Sequence, residues 1–229
     1  MNDVFIPAHL TRYTDSSFMG LTVQTKKGPL IQEYLLQALN QLDFVESLYR
    51  RVYAVRLDLY LPSWALAADC PYLQEVNDRS LIEKFIASLE GRINTDCRNR
   101  ARAGHRVSPT RVHWIRAYEI GHEQGNPHFH LMLLVNGDTY GALGSFDDTS
   151  NNLMGRIQAA WASALALPSA TDEVRQMGLV NVSGQYRFNP NDLDAKDRCF
   201  EALSYLCKAW TKPFLGKVHP FRCAPHKYP

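Results

Sequence analysis

An α+β fold follows from three patterns in the 229 residues. Some stretches carry apolar residues at helical spacing. Others alternate with a period of two. A turn rich in breakers joins two of the alternating stretches, which makes them antiparallel neighbours. Read this way, the strands are Val52 to Leu61, Thr110 to Ile120 and Pro127 to Val135, and the helices run through Leu30 to Tyr49, onward from Ser80, through Leu153 to Leu165, and from Leu193 to Trp210.

The first 28 residues are polar and irregular. Gly28-Pro29 then opens an amphipathic helix, with Leu30, Ile31, Tyr34, Leu35, Ala38, Leu39, Leu42, Val45 and Tyr49 on one side and the proline in its first turn. From Val52 the pattern switches to alternation. Tyr53, Val55, Leu57, Leu59 and Leu61 form an apolar face, and Ala54, Arg56, Asp58 and Tyr60 a polar, chemically usable one, where Asp58 and Arg56 could support a site but an exposed salt bridge is the expected role. Pro62 to Asn77 reads as a loop. Ser80-Leu81-Ile82-Glu83 is a capping box, followed by Ile82, Phe85, Ile86, Leu89 and Ile93 on a buried stripe.

Thr110 to Ile120 puts His113, Ile115, Ala117 and Glu119 on one face. The turn Gly121 to Pro127 folds the next strand back beside it, so Glu119 comes within reach of His128 and His130. Asn136-Gly137-Asp138 ends that strand. After the Leu153 helix, Leu179 to Val182 and Gln185 to Phe188 suggest a hairpin around Ser183-Gly184, and Lys212-Pro213 stops the last helix.

Composition narrows the function classes. With 45% hydrophobic and 21% charged residues, no apolar run near 20 residues and no basic-then-apolar leader, the chain is expected to work in the cytoplasm and away from membranes. Its five cysteines are odd in number and scattered, which points to reduced thiols. A zinc cluster of Cys199, Cys207, Cys223 and His226 lacks a Cys-x-x-Cys anchor. Because net charge is only +2, nucleic-acid binding would have to come from a local patch. The candidate is Arg92, Arg98, Arg100, Arg102, Arg106 and Arg111 around His105, with Lys212 as a further phosphate contact.

Two features carry chemistry. Period two sets the imidazoles of His128 and His130 on one face of a strand, as a metal site requires, while Phe129, Leu131, Leu133 and Val135 face a core. On the last helix, Tyr205 and Lys208 are neighbours on a polar arc, and positive charge beside a phenol favours the phenolate, its nucleophilic form. Either feature alone is ordinary. Together with Glu119 they supply what tyrosine attack on a phosphodiester needs.

At His128-Phe129-His130 and Tyr205-Leu206-Cys207-Lys208 the sequence resembles the HUH endonucleases. More closely, it is similar to the replication-initiation proteins of filamentous phages and their bacterial prophage relatives. The order of landmarks carries this: Val55 to Leu59, Trp114 to Glu119, Pro127 to Leu134, Ala160 to Leu165 and Leu203 to Lys212. The likeness covers roughly residues 50 to 215, so it implies an extension over 1–50 with the amphipathic helix, an endonuclease domain over 51–215 and a tail over 216–229.

That resemblance implies an antiparallel sheet flanked by helices on an RRM- or ferredoxin-like core. Magnesium or manganese would sit on His128 and His130, with Glu119 as third ligand in competition with Glu123. Tyr205 would be the nucleophile and Lys208 its helper. The implied activity is nicking of single-stranded DNA or an origin hairpin through a 5′-phosphotyrosine, to start rolling-circle replication of a phage, prophage or plasmid in a bacterial host. Without a Gly-x-x-x-x-Gly-Lys-[Ser/Thr] loop, unwinding and synthesis would fall to a host helicase and polymerase. A single-tyrosine transposase or relaxase keeps the same chemistry. A regulator that binds DNA on the same fold, or a metal hydrolase unrelated to DNA, would not use Tyr205.

Overall fold

The computed structural model describes residues 4–63, 80–121, 126–144, 152–167, 176–214, 219–226 and 228. Its centre is a five-stranded antiparallel sheet. In chain order the described elements are short strands β1 (Arg12–Tyr13), β2 (Ser17–Phe18), β3 (Leu21–Thr22) and β4 (Leu30–Ile31), helix α1 (Gln32–Leu48), strand β5 (Val52–Tyr60), helix α2 (Ser80–Arg102), strands β6 (His113–Ile120) and β7 (Pro127–Asn136), helix α3 (Leu153–Ala164), strand β8 (Val180–Phe188), helix α4 (Leu193–Ser204) and strand β9 (Phe221–Cys223). The sheet order is β8-β5-β7-β6-β9, so the histidine strand β7 is central.

Alternation splits every central strand between two cores. Tyr53, Val55, Leu57, Leu59, Phe129, Leu131 and Leu133 meet α2 and α3 on one face. Val52, Ala54, Ile115, Ala117, Met132 and Leu134 meet α1 and α4 on the other. Helices thus cover both faces, and residues 30–45 of the expected N-terminal extension are built into the second core. Among the described residues no helix is long and apolar enough to cross a membrane.

Several boundaries differ from the sequence reading, each for a tertiary reason. Pro29 does not sit in the first turn of α1. Leu30 and Ile31 are extended, pair with β1, and Leu30 also bridges Lys208, so the helix starts at Gln32. The expected hairpin around Ser183-Gly184 is a single edge strand, β8, in which the pairing slips from Arg56↔Gly184 to Leu57↔Val182 and leaves Ser183 as a bulge. A Ser-Gly pair suits either outcome, and a side chain at Gly184 would meet the Tyr186 ring. The last helix stops at Ser204 and tightens into a 3-10 turn over Tyr205–Cys207, because Lys208 is drawn into its bridge with Leu30. Most of the loop expected over Pro62 to Asn77 lies outside the described residues, as does the Ser80 side chain of the capping box.

One glycine is predicted to be irreplaceable. Gly144 has φ 88°, and a Cβ there would collide with Asn152, whose side chain caps α3 by accepting from the Gly155 N–H at 2.8 Å. Gly144→Ala should therefore strain the backbone and disturb the cap together, costing about 2 kcal/mol in urea denaturation. A change within about 0.5 kcal/mol would contradict this placement.

Candidate metal and tyrosine site

Strand register assembles the site at one end of the sheet. In β7, His128 lies opposite Tyr60 of β5 and Glu119 of β6, and His130 lies opposite Asp58 and Ala117. Opposed residues share a face, so Asp58, Tyr60, Glu119, His128 and His130 point together. The third wall comes from the chain after α4. It is pinned by Ala209 N–H donating to Pro29 O (2.8 Å) and Ile120 N–H donating to Thr211 O (3.0 Å). Thr211 takes φ 71°, rare for a β-branched residue, and the turn delivers Tyr205, Lys208 and Lys212 over the strand ends.

The two histidines are fixed by their outer nitrogens. His128 Nδ1 lies 3.2 Å from the Asn126 carbonyl, and His130 Nδ1 lies 2.5 Å from Asp58 Oδ1. Both partners accept, so Nδ1 of each ring is the donor there and Nε2 is turned toward the site. The two Nε2 atoms lie 3.2 Å apart, and Glu119 Oε2 lies 3.3 Å from His130 Nε2. Three potential ligands thus converge in a buried place and could hold a cation. Two donors on adjacent corners of an octahedral Mg²⁺ site are about 3 Å apart, so the spacing fits. Glu119, His128 and His130 are the one group of three or more potential ligands among the described residues. Cys199, Cys207 and Cys223 are free thiols, and no zinc cluster with His226 forms among the described residues.

Glu119 is the electrostatic hub. It is 1% exposed and takes Lys208 Nζ at 2.8 Å and Thr211 Oγ1 at 2.6 Å on Oε2, and Lys212 Nζ at 3.1 Å on Oε1. Burial works to raise its carboxyl, but Lys212, His130 and Lys208 together hold it well below the ordinary carboxylate range. Burial lowers the Lys212 ammonium while Glu119 opposes. Lys212 is therefore a buried counter-ion of Glu119, not the exposed phosphate contact expected from sequence.

Asp58 likewise corrects the expectation of an exposed salt bridge. It is buried, receives His130 Nδ1–H and Asn181 Nδ2–H, and burial's upward push on its carboxyl is outweighed by His130 and Arg56. Tyr205 is half-buried with its ring edge-on to His130, 5.2 Å between centroids. Arg56 lies 4.3 Å from that ring centre and Lys208 Nζ 3.6 Å. Tyr60 stacks on His128 at 5.8 Å and is 39% exposed, and Trp210 at the same end is 42% exposed.

His128, His130, Glu119, Tyr205 and Lys208 are thus brought together, while Arg98, Arg100, Arg102 and Arg106 are not. Arg100 donates to Thr139 O beyond the far end of β7 and pairs with Asp96. Glu123 lies outside the described residues. Sequence reasoning gave Asp58 and Arg56 a supporting role only as the second choice to an exposed salt bridge, and missed Tyr60 and Thr211. Tyr60 carried a usable signal, since it shares the period-two face of Arg56 in β5.

Acid should weaken the fold in two stages. Burial, with Arg111 and His226, pushes His113 down to about 4, and burial with His130 lowers His128. Depressed histidines mean that the unfolded chain binds more protons, so stability falls as pH drops from about 6.5 toward 4, by about 3 kcal/mol from His113. Depressed Glu119 and Asp58 then take away further stability below about pH 4. Urea midpoints measured across pH 3–8 check this. A flat profile from 6.5 to 4.5 would contradict neutral, buried histidines.

The family described as the YagK/YfjJ C-terminal domain matches residues 13–224. A protein of Escherichia coli K12 described as the uncharacterized protein YagK is 29% identical over 210 residues, covering 89% of this chain and 97% of its own length. Another from the same organism, the uncharacterized protein YfjJ, is 31% identical over 118 residues, 50% of this chain and 55% of its own. No solved structure matches the chain.

Proposed function

The chain belongs to the YagK/YfjJ C-terminal domain family, and from its site we propose that this member is a metal-dependent nickase and strand transferase of single-stranded DNA, of the HUH type. The observation that carries the reading is the convergence of Glu119, His128 and His130 beside a tyrosine held between Lys208 and Arg56. A divalent cation on those three residues would withdraw charge from a non-bridging phosphate oxygen, and two imidazoles in the set favour manganese over magnesium.

The protein's own groups supply the rest. Asp58 and the Asn126 carbonyl keep both Nε2 atoms turned inward. Lys208 and Arg56, over the Tyr205 ring, stabilise the phenolate formed when the phenol proton leaves to solvent. The phenolate oxygen bonds to phosphorus as the bond to the 3′ oxygen breaks. That oxygen leaves as a hydroxyl after taking a proton, and the 5′ phosphate stays on Tyr205. Because one phosphodiester replaces another, the step runs backward equally well and the strand can be resealed. The biological setting that suits this is initiation of rolling-circle replication of a phage, prophage or plasmid in the bacterial cytoplasm, with host helicase and polymerase completing the work.

A second reading has one observation in its favour. Glu119 is already balanced by Lys208 and Lys212, so the site is electrostatically complete without metal, as in a regulator that binds DNA and does no chemistry. One experiment separates them: single-stranded oligonucleotides tiling the neighbouring genome are incubated with the protein and Mn²⁺, with and without chelator. Cleavage at one site only when metal is present is expected. Cleavage that survives the chelator, or none on any oligonucleotide, would overturn the nickase.

A further inference from the structure

The arginine-rich stretch is far from the site described above, and its surroundings differ in kind. Residues 92–111 hold six arginines and one aspartate, more positive charge than the whole chain's net +2. Asp96 is committed to Arg156, Arg100 and the Tyr140 hydroxyl. Arg98, Arg102, Arg106 and Arg111 are exposed. Between the end of α2 and segment 107–112 runs a groove of about 640 Å³, lined by Arg98 and Arg111 with Asn94, Ser108, Val107 and one carboxylate, Glu90; Arg102 and Arg106 are exposed in the adjoining chain and do not line it.

The groove's place is fixed by hydrogen bonds. Asn136 Nδ2–H donates to Pro109 O and the Thr139 hydroxyl donates to Ser108 O, so segment 108–111 sits at the Asn136 end of β7. His128 is eight residues down that strand, about 26 Å away at the usual rise, and α2 packs on the opposite face of the sheet from the histidines.

We propose that this arginine groove is a separate anchor for the sugar-phosphate backbone of duplex DNA. Arginines with hydroxyl and amide groups are the complement of phosphate oxygens. Among the described residues no aromatic side chain lines the groove. Single strands are held by stacking bases on aromatic rings, and the exposed Tyr60 and Trp210 lie at the other end, beside His128 and Glu119. The two ends thus divide the ligand: unpaired bases at the histidines, paired backbone at the arginines. At about 3.4 Å per base pair, 26 Å corresponds to about eight pairs. This extends the nickase reading, but it is tested without the chemistry.

Fluorescence anisotropy in a chelator measures binding of a labelled 20-pair duplex of arbitrary sequence to the full chain across a salt series. Wild type should bind with a log–log salt slope near −3.6 for four phosphate contacts. The variant R98Q/R102Q/R106Q/R111Q should lose at least tenfold in affinity and about 3.6 in slope with an unchanged Tm. The matching arginine-to-lysine variant should stay within about threefold of wild type. The proposal fails if wild type does not bind the duplex, if the glutamine variant binds as well, or if that variant loses oligo-dT or duplex RNA binding to the same degree. Failure here leaves the tiling experiment untouched, and failure there leaves this result standing.

Discussion

Glu119→Ala is expected to lower the free energy of unfolding by about 3–5 kcal/mol, the usual cost of stripping the partner from a buried charge. Lys208 and Lys212 are 5% and 7% exposed and both neutralise this carboxylate. Without it, two ammonium groups remain beside Arg56 and the histidines, and the nearby carboxylate of Asp58 is committed to His130. The Thr211 hydroxyl also loses its bond to Glu119 and is left with the Trp210 carbonyl. Glu119→Gln keeps the shape and should recover only part of the loss, since an amide accepts from one lysine but balances neither. Urea denaturation at pH 7 reads both variants. A cost under about 1 kcal/mol for the alanine would mean that the lysines are solvated and the hub is misassigned.

His128→Ala should do the reverse: leave the fold nearly unchanged and abolish metal binding. Its ring is half-buried and held at Nδ1 by one backbone carbonyl, that of Asn126, so the metal-free protein loses little when it goes. The donor set falls from three to two. Removing outer-shell partners alone typically costs 10–100-fold in metal affinity, so loss of a ligand should cost more than about 100-fold. Calorimetric titration with Mn²⁺ gives the affinity and thermal melting the stability. Unchanged Mn²⁺ binding would remove the histidines from the metal site.

Local pattern carried much of the architecture. Alternation in Thr110 to Ile120 and Pro127 to Val135, joined by a short turn, was enough to set Glu119 beside the histidine pair. What stayed hidden depends on distant parts of the chain. The polar face of β5 reads as solvent-facing until α1 and α4 cover it, which is why Asp58 looked like a surface residue. Tyr205-Leu206-Cys207 continues a helical period, and only the bridge from Lys208 to Leu30, 178 residues earlier in the chain, ends it. Lys212 and Arg98 are both cations in sequence, yet one is sealed against Glu119 and the other lies in a groove at the far end of the sheet. Charge is legible in a sequence, and burial of charge is not.

The central claim is that Tyr205 takes the phosphate. Its most direct measurement is intact mass after incubation with Mn²⁺ and a cleaved single-stranded oligonucleotide. Wild type should gain the mass of the 3′-side fragment through a phosphotyrosine at position 205, and Tyr205→Phe, folded with the same Tm, should gain nothing. An adduct that persists in Tyr205→Phe, or cleavage by wild type without any adduct, would contradict it.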